Sequence, residues 1–330
     1  MKRILAISLA ILAALWSGLG SSCQGDHSGK TESITLATLP LEALALVYIA
    51  EKEHFFSKNG LAVTIKDYDT GVAAVNAMLK GEADMAGPTE FVIVGNVLKK
   101  QRISVLGSIE KGLTMSLIGL KTRGISGVAD LAGKRIGLAR RTISEFYLGR
   151  FLDLHGMKVK DVVLVDLPPS KWLGAVSSGD VDAIVGWSPY STQLQERFTN
   201  ETVSWQVQSG QQLFGVIVSS NDWVAQHPET VIRFWRSLAR AEEFLISHPD
   251  EAKAIVRKRL NYDEAYMDIV WPQTTFSISL DQSLIVAMED EARWMISNGL
   301  TTEKQVPDFL KYIYEDGLKV VKPEVVKIIR

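Results

Sequence analysis

The sequence offers very little thiol and imidazole chemistry. Its 330 residues include one cysteine, Cys23, and five histidines. A single cysteine excludes an internal disulfide, and no histidine has a partner at metal-ligand spacing. The signatures of zinc proteases, phosphate-binding loops and serine hydrolases are also missing. We therefore predict that the protein is not an enzyme and that it holds no metal and no cofactor.

The sequence also lacks a large excess of charge of one sign and an apolar run long enough to span a membrane. The 36 basic and 38 acidic residues give a net charge of −2, which offers no basic footprint for nucleic acid. The apolar run Ile4–Trp16, after Lys2 and Arg3, is shorter than the ~20 residues that cross a bilayer. A basic start followed by a short apolar core and small residues is typical of a secretory signal peptide. We therefore predict an exported protein without a nucleic-acid partner.

The position of Cys23 bears on how the exported chain is held. It follows Leu19-Gly20-Ser21-Ser22, which is similar to a bacterial lipoprotein signal with its leucine one position further back than usual. In such signals the cysteine becomes the lipidated first residue; the alternative is plain cleavage that leaves a free thiol. We predict a signal peptide over 1–22, lipidation at Cys23 and a flexible tether over 23–32.

From Ser33 onward, short β-type runs alternate with helical stretches, which predicts mostly parallel sheets covered on both faces. The phrase GEAD at 81–84 is echoed by GDVD at 179–182, and each copy leads from a helix stop into a buried strand. The echo indicates two α/β lobes, although convergent turn chemistry would produce it as well. After about Phe214 the chain is predicted to be almost wholly helical, including a helix over 280–298.

The two copies end differently, and those endings are where we expect ligand contacts, because ligands of doubly wound sheets lie outside the carboxyl ends of the strands. Trp187 is either the wall of an apolar pocket or a core residue at a lobe junction. Glu42, Glu90 and Glu110 stand at predicted strand ends and could accept hydrogen bonds from a ligand amine or amide. The alternative for Glu90 is a simple interaction with a helix dipole.

The segment RIGLARRTISEFYL at 135–148 predicts a strand that runs into a helix. Thr142 and Glu145 fit a capping box, and the first-turn N–H groups with the hydroxyls of Thr142 and Ser144 would suit an anionic group. Arg140 and Arg141 could add donors. The alternatives are a well-capped helix and solvated arginines.

Several segments together resemble the substrate-binding proteins of ABC importers in the nitrate, sulfonate and taurine group, which includes binders of thiamine-precursor pyrimidines. They are ATLPLEALALVYIAEKEHFFSKNGLAVTI, GEADMAGPTEFVIV, DLAGKRIGLARRTISEFYL, GDVDAIVGWSPY and SLDQSLIVAMEDEARWMISNGLT, with the closing VKPEVVKII. The resemblance implies an α/β fold: a type II periplasmic-binding-protein clamshell with mixed, mostly parallel sheets and a helical C-terminal region. Lobe 1 would comprise 33–121 and 214–330, and lobe 2 would comprise 122–213.

The same resemblance implies a cleft for one small organic molecule, anionic or zwitterionic, and delivery of that ligand to an ABC permease and its ATPase. The protein would be a monomer anchored at a membrane surface, periplasmic or on the cell surface. By position, the ligand-binding residues would be Leu39, Pro40, Leu41, Glu42, Pro88, Thr89, Glu90, Glu110, Thr142, Ile143, Ser144, Trp187 and Tyr190.

Three alternatives stay open at this point. One is a ligand-sensing lipoprotein without a transport role. Another is a purely structural surface lipoprotein, which a cleft filled with side chains would support. The last is an enzyme like the fungal pyrimidine-synthesis enzymes of this fold, which rely on a cysteine-rich motif and a histidine. The absence of cysteine after Cys23 argues against that chemistry.

Overall fold

The computed structural model describes residues 30–330. The predicted signal peptide over 1–22, the lipidation site Cys23 and the tether up to residue 29 lie outside the described residues. The tether was expected to extend to residue 32, but Glu32 already belongs to the first strand and pairs with Leu61 of the second.

Twelve strands lie within the described residues: β1 (Glu32–Thr38), β2 (Leu61–Asp67), β3 (Met85–Gly87), β4 (Ile103–Gly112), β5 (Met115–Leu120), β6 (Arg135–Leu138), β7 (Val163–Asp166), β8 (Ala183–Trp187), β9 (Thr202–Gln206), β10 (Leu213–Ser220), β11 (Thr274–Asp281) and β12 (Val326–Lys327).

The α-helices of the same residues are α1 (Ala45–Lys52), α2 (Phe55–Lys58), α3 (Gly71–Leu79), α4 (Glu90–Leu98), α5 (Ile143–Leu154), α6 (Trp172–Ser178), α7 (Tyr190–Arg197), α8 (Asn221–Gln226), α9 (Pro228–Ser247), α10 (Pro249–Leu260), α11 (Glu264–Val270), α12 (Gln282–Ser297) and α13 (Asp316–Val321). Among residues 30–330, none of the helices is both long enough and apolar enough to traverse a bilayer.

The strands form two sheets. The first has the order β12-β11-β4-β10-β3-β1-β2 and the second the order β7-β6-β8-β5-β9. The chain leaves the first sheet between β4 and β5 and returns to it between β9 and β10. We call the first sheet with its helices lobe 1 (residues 32–112 and 213–330) and the second with its helices lobe 2 (residues 115–206).

The position of β5 differs from the sequence-based prediction, which put residues up to 121 in lobe 1. β5 pairs with β8 and β9, so it belongs to lobe 2. The sheets are mixed, as expected, but among the described residues five strand pairings are parallel and five antiparallel. The parallel share is lower than predicted because the strands next to the crossings, β4, β5, β9 and β10, all pair antiparallel with their neighbours.

The C-terminal part is largely helical, as predicted, but it also adds two strands to lobe 1. In β11 every second residue is buried, the pattern of a strand with one face on the core. The predicted helix over 280–298 therefore starts later, at Gln282. Asp281 is its N-cap, and its carboxylate accepts the backbone N–H of Ser283.

The echoed aspartates occupy equivalent positions in the two lobes. Asp84 accepts the backbone N–H of Thr35 in β1 at 2.7 Å, and Asp182 accepts that of Arg135 in β6 at 2.9 Å. In each case the backbone N–H of the aspartate donates back to the carbonyl of the same partner residue. Each aspartate thus joins the strand that follows it, β3 or β8, to the neighbouring parallel strand. These strands end at the region between the lobes.

Candidate ligand-binding site

A cavity lies between the lobes, next to both crossings. Lobe 1 contributes the ends of β1 and β3 together with β4 and β10, and lobe 2 contributes the start of α5 and the end of β8. The space open to the centres of water-sized molecules is about 90 Å³. One water molecule needs about 10–15 Å³ by this measure. The cavity therefore has room for a small solute, and we refer to it as the interlobe cavity.

Nine of the predicted residues line the interlobe cavity: Leu39, Leu41, Glu42, Pro88, Thr89, Glu110, Thr142, Ile143 and Trp187. Pro40 and Tyr190 line a neighbouring cavity that shares Leu39, Leu41 and Trp187 with the first and also has Asp67 and Asp69 in its wall. We call this second space the outer cavity. Glu90 and Ser144 line neither cavity, because both are fully buried behind the wall.

Two carboxyls of lobe 1 stand in the wall of the interlobe cavity. Glu42 lies in a short 3-10 turn after β1, and Glu110 lies near the end of β4. They are 4% and 5% exposed, and burial raises the pKa of Glu42 to about 7 and that of Glu110 to about 8. The charges of Glu42 and Glu90 add to the shift at Glu110. At neutral pH both carboxyls are thus close to the point where they bind or release a proton.

A glycine makes room for the carboxyl of Glu110. A Cβ atom placed on Gly215 of β10 would lie 2.4 Å from the Cγ atom of Glu110. No real Cβ tolerates such a contact, so the Glu110 side chain lies over a part of β10 that only glycine leaves free. Sequence reasoning did not single out Gly215, although a glycine within the apolar run LFGVIV indicates close approach of another group.

Behind this wall a second pair of carboxyls is buried. Glu90 is the first residue of α4 and lies beside Glu291 of α12. Burial raises the pKa of both, and the neighbouring charge of Glu90 raises that of Glu291 further. Neither carboxyl makes a hydrogen bond of good geometry within the described residues. Glu90 therefore belongs to the packed interior behind the wall and does not contact the cavity.

The start of α5 differs from the predicted capping box. Thr142 is the N-cap residue, but its hydroxyl donates to the carbonyl of Ala139 at 2.7 Å and does not cap the helix. Glu145 accepts the backbone N–H of Arg141 at 2.7 Å and the guanidinium of Arg140 at 2.8 Å. Both arginines line a different surface cleft and neither lines the interlobe cavity. No arginine is thus placed to help hold an anion there.

Trp187, the last residue of β8, is both a core residue and a wall of the cavity. It is 8% exposed, and its indole N–H has no hydrogen-bond partner within residues 30–330. The ring packs edge-to-face on Trp172 of α6 with 5.2 Å between centroids. Trp172 in turn covers Gly186, where a Cβ atom would lie 2.0 Å from the ring. The two interpretations of Trp187 offered by the sequence are therefore compatible.

Sequence analysis did not point to Gln208, which forms hydrogen bonds with both connections between the lobes. Its amide nitrogen donates to the carbonyls of Gly112 and Gln211 at 2.9 and 3.0 Å, and its amide oxygen accepts the N–H of Met115 at 2.8 Å. Gln208 is buried, so these bonds hold the two connections side by side. Further lining residues that we did not predict include Thr38, Gly71, Gly87, Thr114, Met115, Ser188, Leu213 and Thr274. Thr114 and Leu213 stand at the crossings and could have been found there.

Two lobes joined by a double crossing, with a cavity between them, define the fold of the periplasmic binding proteins, as the resemblance implied. The chain belongs to the NMT1/THI5-like family, whose model matches residues 43–252.

Individual relatives agree with this assignment. The chain is 29% identical over 206 residues to the taurine-binding periplasmic protein of Escherichia coli, covering 61% of this chain and 63% of that protein. It is 23% identical over 287 residues to the formylaminopyrimidine-binding protein of Halalkalibacterium halodurans, with 84% of each covered.

Solved structures share the fold at lower identity. The alkanesulfonate-binding protein SsuA of Xanthomonas axonopodis pv. citri, bound to MOPS, has a TM-score of 0.77 at 16% identity, covering 87% of this chain and all of that one. The desulfurization enzyme DSZB has a TM-score of 0.63 at 17% identity, covering 88% and 99%. The fold alone therefore does not separate binding from catalysis. No group of three or more acidic, histidine or cysteine side chains within residues 30–330 is placed to hold a metal ion.

Proposed function

We propose that the protein is an exported solute-binding lipoprotein, anchored through Cys23, that captures a small organic molecule between its lobes and delivers it to an ABC permease and its ATPase. The interlobe cavity is the observation that carries the proposal. Both lobes contribute to its wall, and two buried polar atoms in that wall, the Oε2 atom of Glu42 and the indole N–H of Trp187, lack partners among residues 30–330. Buried polar groups without partners cost free energy, which a bound solute would recover.

The proposed mechanism is closure of the lobes around the solute. Glu42 and Glu110 belong to lobe 1, whereas Trp187 and the start of α5 belong to lobe 2. A solute that touches both walls favours the closed arrangement because only that arrangement lets it make all of its contacts. Gln208 supports this motion, since it holds the two connections together and keeps the hinge narrow. The permease would then bind the closed form.

The cavity also bears on the alternatives. A purely structural lipoprotein has no need for open space lined by polar atoms without partners. The fungal enzymes of this fold rely on a cysteine-rich motif, and their cysteine has no counterpart after Cys23. Transport and sensing use the same binding step, so these two are separated by measuring uptake.

The test begins with native mass spectrometry of the full chain, purified in mild detergent from the cells that export it. We expect a co-purified small molecule, which Trp187→Phe would weaken because phenylalanine keeps a ring but removes the indole N–H. Trp205→Phe is the matched control, since Trp205 lies on β9 of the same lobe and lines neither cavity. A chain that carries no ligand and takes up none from a metabolite extract would contradict the proposal. Uptake by cells with and without the chain then separates import from sensing.

A further inference from the structure

Every charged side chain that lines the two cavities is acidic. Glu42 and Glu110 line the interlobe cavity, and Asp67 and Asp69 line the outer cavity; no lysine, arginine or histidine of residues 30–330 lines either one. We propose that the solute is a small organic nitrogen base, an ammonium or an amino-substituted heterocycle, whose N–H groups donate to Glu42 and Glu110. This inference rests on the proposed binding function and specifies its ligand.

The protein leaves one of these carboxyls partly unsatisfied. The Oε2 atom of Glu42 is buried without a partner within residues 30–330, and the carboxyl of Glu110, 5% exposed, stands in the wall of the same cavity. Two other buried acids are paired with cations, Glu145 with Arg140 and Glu242 with Lys322, whereas Glu90 and Glu291 lie beside each other without a cation from residues 30–330. A buried carboxylate left without a cation is costly. Its partner is therefore to be sought in the ligand.

The aromatic wall fits the same class of solute. Trp187 lines both cavities, and tryptophan is the aromatic side chain that attracts cations most strongly. Tyr190 stands beside it in the outer cavity, with 6.5 Å between the ring centroids. Asp67 and Asp69 are exposed, so they place negative charge where a solute would approach. A field of one sign at a cleft concentrates ligands of the opposite sign.

An anion finds much less in this cavity. The hydroxyl of Thr142 already donates to Ala139, and the guanidinium of Arg140 is bound to Glu145 in another cleft. The start of α5 remains, but Thr142 and Ile143 share the cavity wall with two carboxyls. A ligand with an anionic end thus needs a nitrogen base at its other end to be held here.

The test uses two pyridines substituted at the same ring position, on the full chain at pH 7.5: 4-aminopyridine, a cation with amino N–H groups, and pyridine-4-carboxylate, an anion. Isothermal titration calorimetry should show millimolar or tighter binding of 4-aminopyridine and none of the carboxylate. Glu42→Gln and Glu110→Gln should each weaken the binding by about tenfold or more, as expected for the loss of a hydrogen bond to a charged group. Glu291→Gln is the matched control, a buried acid that lines neither cavity, and its dissociation constant should stay within about twofold of the parent value.

The outcomes separate the two proposals. Binding of the carboxylate but not the amine would overturn the nitrogen-base proposal and leave the binding function standing. If neither probe binds, the co-purified molecule decides: a mass and fragmentation pattern with a basic nitrogen supports the inference, and one without it overturns it. The absence of any ligand, together with no response to either probe, would overturn both. Asp67→Asn with Asp69→Asn gives a second readout on exposed residues, where we expect a slower, less salt-dependent association with 4-aminopyridine.

Discussion

The two copies of the Gly-x-x-Asp turn, at 81–84 in lobe 1 and 179–182 in lobe 2, are alike where they form the scaffold and unlike where they reach the cavity. Both glycines have positive φ, and the same backbone hydrogen bonds close both helices. Beyond the strands, lobe 1 continues into Pro88–Glu90 beside its carboxyls, and lobe 2 continues into the aromatic segment Trp187–Tyr190. Local hydrogen bonding thus fixes the framework, while the residues after the strands set the chemistry of each wall.

The largest effect is expected where lobe 2 departs from this shared framework. Gly186→Ala would place a Cβ atom 2.0 Å from the ring of Trp172, which has no space to move because it is fully buried. We expect a loss of about 3 kcal/mol in the free energy of unfolding, the upper end of typical overpacking costs. Urea unfolding followed by circular dichroism measures it.

Gly174→Ala is the matched control, because the added methyl group at Gly174 would meet nothing within 4 Å. Gly174 lies inside α6 of the same lobe, where alanine favours the helix. An equal loss of stability in both variants would show that the contact between Gly186 and Trp172 is not what distinguishes the end of lobe 2.

The next largest loss of stability is expected at the aspartates of the Gly-x-x-Asp turns, which both lobes have. Asp84→Ala and Asp182→Ala each remove the acceptor of a backbone N–H in the neighbouring strand. We expect each to cost about 2 kcal/mol, since a partly buried donor is left without its partner. Asp182 also pairs with the guanidinium of Arg135, so its loss should be the larger of the two. Because the sites are in different lobes, the double variant should show the sum, and a clearly smaller total would contradict independent roles.

Much of this framework could be predicted from the sequence because its signals are local. The glycine stops, the alternation of helices and strands and the echoed aspartates all act over a few residues. β9 and β11 were missed although TVSWQ and TTFSISLD alternate polar and apolar residues as half-buried strands do, because both stand next to helical sequence. Whether β5 belongs to lobe 1 or lobe 2 depends on the strands with which it pairs, and these are distant in the sequence. No local pattern contains that information.

The candidate site was predicted less completely, for a related reason. Their positions at strand ends were enough to predict Glu42, Glu110 and Trp187 as lining residues. The burial of Glu90 could not be predicted in this way, because its neighbour Glu291 is 201 residues away in the chain. Gln208 acts through its position between two connections that are distant in sequence. That no basic side chain of the described part of the chain lines either cavity also emerges only when the two lobes are placed together.

The buried pair Glu90 and Glu291 belongs to lobe 1, and here we expect a substitution to raise the free energy of unfolding rather than lower it. Since burial raises the pKa of Glu90 and of Glu291, the folded state binds more protons than the unfolded state above pH 4.5. The free energy of unfolding therefore falls as pH rises through that range. Glu291→Gln should stabilise the protein by about 1.5 kcal/mol at pH 8, with the gain shrinking toward pH 4.5, because the amide has no charge to desolvate. Thermal unfolding at a series of pH values measures this, and a variant that is less stable at pH 8 would indicate an unseen partner for the pair.

The smallest expected effect gives the most direct comparison of the two lobes, because the same position of the Gly-x-x-Asp turn is substituted in each. Gly81 and Gly179 have φ values of 77° and 82°, a region that costs an L-residue about 1 kcal/mol. Gly81→Ala meets no atom within 4 Å, whereas the methyl group of Gly179→Ala would lie 2.5 Å from the guanidinium of Arg123. The end of a long arginine side chain moves away at little cost, so both variants should lose about 1 kcal/mol and agree within about 0.5 kcal/mol. A different result would be a loss at Gly179 that exceeds the loss at Gly81 by well over ~0.5 kcal/mol and disappears when Arg123→Ala is added. It would show that the Arg123 side chain stabilises the lobe 2 turn and that the lobe 1 turn has no such contact.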